Sequence, residues 1–181
     1  MQEHTGLGTD RRVYNNESGQ STVFAVLSVL MLVLLVAGIV DLARLWEYRT
    51  WGYRIAESAA LAGLANSRDY TEYMNTGDIA LNGTVAYQDA IDALQEARNQ
   101  RSDLTSITYD VRVHASSMTA VYAGYPPVAR ASMESGDWSP DNPAVGVYLE
   151  FAVQPVLYGW VNGNQTIPIH VFAAASIVEA P

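Results

Sequence analysis

The apolar positions of this chain form two patterns: one unbroken run near the N-terminus and, much later, alternations of period two. The run, Ser21 to Ala43, reads STVFAVLSVLMLVLLVAGIVDLA, and no charged residue falls between Glu17 and Asp41. From Val23 to Val40 only Ser28 and Gly38 interrupt the apolar residues. As a helix rising about 1.5 Å per residue, this stretch spans about 27 Å, close to a bilayer's hydrocarbon core. There, backbone groups must bond internally, which favours the helix. The run is longer than the apolar core of a cleaved signal peptide, and no A-x-A pattern closes it. The expectation is a transmembrane segment over about 21–43, with Val23, Phe24, Leu27, Leu30, Leu34 and Gly38 facing lipid or other helices.

The helical pattern continues past Val40. Leu42, Leu45, Trp46, Arg49, Tyr53, Ala56 and Ala60 recur at three- and four-residue steps, with no proline before Ala65. Asp41 and Arg44, then Arg44 and Glu47, are i,i+3 pairs. One helix is therefore expected over 20–65, roughly 65 Å long, with a polar, flexible tail over 1–19 before it. Trp46, Tyr48, Trp51 and Tyr53 cluster just beyond the run, where amphipathic rings favour the headgroup zone. The ESAALAGLA segment, 57–65, is rich in small residues. Such a stripe either admits a second backbone at close range or reflects alanine's preference for helix.

Residues 66–181 predict a separate α+β domain. Asn66 to Gly83 is polar and reads as a connection with a helical turn at Asp69 to Met74. Thr84 is the expected N-cap of a helix whose apolar face is Tyr87, Ala90, Ile91, Leu94 and Ala97. The period then changes to two. Ile107, Tyr109, Val111 and Val113 alternate with Thr108, Asp110, Arg112 and His114, a half-buried strand with His114 on its solvated face. A second strand follows over Ala144 to Gln154 and a third over Thr166 to Val178. Asn162-Gly163 is a hairpin signal between them, and Pro168 implies an edge position or a bulge. Ser116 to Pro143 is long and proline-rich; its Tyr122, Tyr125 and Trp138 either pin it to the domain or face a partner. Tyr158 and Trp160 are too apolar for a plain turn and either rest on the long helix or form a partner patch. The whole is an α+β layer: the long helix against three antiparallel strands and one further amphipathic helix.

Charge narrows the function classes. Net charge is −9, which argues against nucleic-acid binding, and all ten basic residues are Arg. There is no cysteine, hence no disulfide or thiolate metal site. No G-x-S-x-G, H-E-x-x-H or P-loop occurs, and the three histidines lie on the tail and on two separate strands. No catalytic residue, metal, cofactor or small-molecule substrate is expected. Basic residues near the run number two before it (Arg11, Arg12) and three after it (Arg44, Arg49, Arg54), so charge counting leaves its orientation open.

Three segments carry a resemblance. GQSTVFA over 19–25, GIVDLAR over 38–44 and AESAALAG over 56–63 resemble the TadE/TadG-like pilus-assembly family, whose members read G-Q-x-x-V-E-F-A, then G-x-x-D-x-x-R, then an Ala-rich segment. The resemblance implies a minor pilin or pseudopilin of a tight-adherence pilus. It implies a single-pass helix in the bacterial cytoplasmic membrane, with the C-terminal domain outside and other pilins or membrane subunits packed on the helix. It makes Gly19-Gln20 a candidate processing junction, with Asp41 and Arg44 in the family's second motif. The chain departs from the family at one place: the fifth position after Gly19, a Glu in prepilin-type processing, is Phe24. Without processing, the alternative is a permanent accessory subunit of a larger membrane complex.

Overall fold

The structure, a computed structural model, describes residues 17–101, 104, 106–129, 134–161, 163 and 165–178; for 17–19, 160 and 161 it describes the backbone alone. The polar run 1–16, with His4, Arg11 and Arg12, lies outside the described residues.

Helix α1 runs Glu17–Ala65, 49 residues, or about 73 Å of continuous helix. It begins earlier than expected, so the Gly19-Gln20 peptide lies within helix. Up to Val36 its described side chains are exposed all round. Among the described residues it is the one helix long and apolar enough to cross a membrane, and no part of its most apolar window is buried.

The upper half of α1 builds the domain core. A short helix α2, Tyr70–Thr76, is capped by the Asp69 carboxylate and closed by Gly77 at φ +83. Helix α3, Gly83–Asn99, starts one residue before Thr84. Its cap is Asn82, whose extended backbone aims its amide oxygen at the Val85 N–H, while Thr84 is already inside the first turn. Strands β1 (Ile107–His114), β4 (Ala144–Val153) and β5 (Ile167–Ser176) form an antiparallel sheet in the order β1-β4-β5; β2 (Tyr122–Ala123) and β3 (Asp137–Trp138) pair separately. Pro168 thus sits on an edge strand, where its missing N–H breaks no ladder.

The connection between β4 and β5 is longer than the tight hairpin expected at Asn162-Gly163, of which Asn162 lies outside the described residues. Residues 154–166 join β4 to β5 and include helix α4, Leu157–Val161. Gly163 has φ +68.

Val145, Val147, Leu149, Phe151 and Val153 face α1 and α3 together with Ile169, Val171 and Ala173 of β5. The opposite face of β4 is buried too. Residues 122–129 and 134–138 fold across it, stacking Tyr122 on Trp138 at 5.0 Å and setting Tyr125 edge-on to Phe172 at 5.4 Å. Gly146 makes room: a Cβ there would lie 3.2 Å from both the Trp138 and Tyr125 rings. The loop aromatics therefore pin the segment to the domain. His114 is also buried rather than solvated. Its Nδ1 lies 3.3 Å from the Tyr122 hydroxyl, which donates to the Val113 carbonyl.

The small-residue stripe is a helix-helix contact within the chain. Ala56, Ala59 and Ala60 are fully buried, as are Ala86 and Ala90 of α3. A Cβ on Gly63 would stand 2.7 Å from the Ala86 carbonyl oxygen. Only glycine permits this approach without moving a backbone.

Candidate functional site

The features of the chain meet where the apolar half of α1 enters the domain. Asp41, the first charged residue after Glu17, is 7% exposed. Its partner is 115 residues away: Oδ1 accepts the Val156 N–H at 2.7 Å, and Oδ2 accepts the N–H groups of Leu157 and Tyr158 at 2.7 and 3.2 Å. These are the otherwise orphaned donors that open a helix, here α4, and a carboxylate suits them in both geometry and charge. The expected local pairing of Asp41 with Arg44 is thus not what occupies the carboxylate; Arg44 is exposed. Beside the cap, Leu157 reaches to 4.0 Å from where a Cβ on Gly38 would sit, so α4 lies alongside the last turn of the apolar stretch. Tyr158 is 44% exposed. The Trp160 side chain lies outside the described residues.

One turn further, the aromatic group divides. Trp46 is 72% exposed. Tyr48 and Trp51 turn onto the domain, where the Arg101 guanidinium lies 4.7 Å from one ring centroid and 5.3 Å from the other. Arg101 also reaches Glu47 at 3.0 Å, taking the Glu47 partnership expected of Arg44. Trp51 meets Phe151 edge-on at 5.6 Å. Beside it, a Cβ on Gly52 would come within 2.7 Å of the Phe151 ring. Tyr53, 40% exposed, lines a groove of about 460 Å³ between α1 and β5, together with Trp46, Arg49, Arg54 and His170.

Among the described residues, titratable side chains also converge on the outer face of the sheet. His170 Nδ1 lies 2.8 Å from the Tyr148 hydroxyl and 3.8 Å from the Glu150 carboxylate. Burial and the neighbouring carboxylate push the Tyr148 phenol up to about 12. A phenol held neutral acts here as a hydrogen-bond bridge. The Tyr125 hydroxyl shares its proton between the carbonyls of Asp110 and Gly146, each at 2.9 Å, and its phenol is pushed up by burial and by Asp110. Among the described residues no three His, Asp or Glu side chains gather as a metal-ligand set.

Gly38 and Asp41 share one sequence motif, and of the two expectations for Tyr158, resting on the long helix is the one seen; the cap by which Asp41 joins them was not foreseen. The legible signal was an isolated carboxylate at the end of an apolar run, which is expensive to bury unless backbone donors receive it. Comparison of the chain with protein-family models, with curated proteins and with solved structures finds no match.

Proposed function

We propose that the chain is a membrane-anchored structural subunit. The apolar half of α1 crosses the bacterial cytoplasmic membrane once, and the α+β domain stands outside. Its role is that of a minor pilin or pseudopilin of a tight-adherence type pilus, without catalysis or cofactor. The observation that carries the reading is the single continuous α1. One half exposes apolar side chains all round, which suits lipid and not water. The other half is the spine of a packed domain. The motif resemblance at Gly19-Gln20 and at Gly38 to Arg44 supports the pilus assignment.

Phe24, standing where prepilin-type processing expects Glu, favours a second reading: a permanent single-pass accessory subunit of a larger membrane complex. Intact mass measurement of the native protein separates the two. A mature chain starting at Gln20, recovered with sheared surface filaments, supports the pilin. A chain retaining the Gly19-Gln20 bond, recovered only from detergent-solubilised membranes with other integral proteins, establishes the accessory subunit.

A further inference from the structure

We infer that the first part of the β4-β5 connection, residues 154–161, is a second membrane contact: it lies in the headgroup zone of the bilayer that α1 crosses and seats the domain on it. This rests on the anchor reading above and adds the domain's posture and a lipid-binding surface remote in sequence from the span.

Four observations converge on it. The first is height. Leu157 lies beside Gly38, two residues or about 3 Å inside the end of the apolar stretch at Val40. A connection touching that level cannot stand clear of the interface. The second is composition. Residues 154–166 read QPVLYGWVNGNQT, and no Asp, Glu, Lys or Arg occurs from Phe151 to Val178. Solvated loops of this length ordinarily carry charge; one that enters the headgroup region pays for every charge it brings below the phosphates.

The third is backbone satisfaction. Irregular backbone at membrane depth is tolerated only where its polar groups are bonded by protein. Asp41 supplies three of those bonds, to the N–H groups of residues 156–158. A buried carboxylate at the end of an apolar run, spent on one short connection, is hard to explain for a loop bathed in water. The fourth is the exposed surface. Val156 is 57% exposed and Tyr158 44%, and Trp46, also exposed, lies about 9 Å beyond Val40 along α1. Aliphatic and amphipathic aromatic side chains at this height match the interfacial belt. Arg44, exposed on the first turn of α1 past Val40, places a cation at the level where lipid phosphates lie.

The absence of cysteine makes the test direct. Full-length protein carrying single nitroxide labels is reconstituted in vesicles of phosphatidylethanolamine and phosphatidylglycerol. Labels are placed at Val156→Cys, Tyr158→Cys, Leu30→Cys within the span and Met74→Cys on α2, at the far end of the domain. The readout is the ratio of accessibility to oxygen over a water-soluble nickel chelate. The expected result is a ratio at 156 and 158 several-fold above that at 74 and below that at 30. In Asp41→Ala the ratio at 158 falls toward that at 74, because the cap no longer holds α4 against α1. Ratios at 156 and 158 equal to that at 74, with 30 still shielded from nickel, overturn the inference and leave the anchor standing. An aqueous signal at 30 overturns the anchor itself, and the inference with it.

Discussion

Replacing Asp41 by Ala removes the acceptor of three backbone N–H groups while leaving an excellent helix former in α1. The two bonds at 2.7 Å are charge-assisted and contribute about 1.5–3 kcal/mol each. Val156 is exposed enough for solvent to replace part of its bond, whereas the Leu157 N–H opens the helix beside α1 and is harder to resolve. The net cost is then about 2–3 kcal/mol, localised in α4. Tenfold per 1.4 kcal/mol makes this roughly 30- to 150-fold faster hydrogen exchange at amides 156–158. The assay is exchange followed by mass spectrometry on the detergent-solubilised full chain, reading the peptide spanning α4 against peptides from β4 and α3. Asp41→Asn retains an acceptor oxygen without the charge, so exchange rises by only about a third as many kcal/mol. Unchanged exchange in α4 refutes the cap. Equal loss of protection across β4 and α3 refutes the localisation, because it makes Asp41 a determinant of the whole fold.

Gly63→Ala gains about 1 kcal/mol of helix propensity but drives a Cβ to 2.7 Å from the Ala86 carbonyl oxygen. Overpacking costs about 1–3 kcal/mol, so thermal unfolding should fall rather than rise; a higher midpoint means α3 yields freely. Glu47→Gln should change stability by less than about 0.5 kcal/mol, since Glu47 is 66% exposed. Arg101→Ala should cost more, about 1–2 kcal/mol, through its stacking on Tyr48 and Trp51. Urea titration of both variants checks the order. Tyr125 and Tyr148 both hold their protons more tightly in the folded domain than in the unfolded chain, where phenols ionise near 10. Their contribution to stability is therefore complete below about pH 10 and lost as pH rises through the folded values. Absorbance at alkaline pH should show these two ionising after the exposed tyrosines and together with unfolding.

What was legible in the sequence was whatever periodicity carries. The apolar run, the helical steps from Leu42 to Ala60 and the alternations at Ile107 and Val145 each state a local geometry, and α1, β1, β4 and β5 follow them. Partners across the chain are another matter. Nothing within a few residues of Asp41 says that residues 156–158 will present it with N–H groups, so the nearest cation, Arg44, was the natural local inference. Thr84 and Asn82 both satisfy the composition of a cap, and only the backbone at Asn82 decides between them. The burial of His114 and of β4's second face depends on how residues 122–129 and 134–138 fold back. That is set by aromatic packing on Gly146 and has no period to read.

The same comparison constrains how copies of this chain could associate in the proposed role. Ala56, Ala59, Ala60 and Gly63 are the part of α1 best suited to close helix packing, and α3 already covers them. A bundle that used this stripe would have to displace α3 and open the core formed by Val145, Leu94 and Leu64. That exchange gives up buried apolar area at about 25 cal/mol per Å² and replaces it with a contact of similar kind, so little drives it. Association through α1 is left to its exposed apolar half, where Phe24, Leu27, Leu30 and Leu34 all face outward. In lipid those side chains gain nothing hydrophobic by leaving the acyl chains, so association there rests on close packing at small residues such as Ala25, Ser28 and Ala37, since Gly38 has α4 beside it. Bulky substitutions should discriminate: Leu30→Trp and Leu34→Trp are expected to spare the folded domain and impair recovery in sheared filaments. Filament yields unaffected by both would remove the apolar half from the assembly interface.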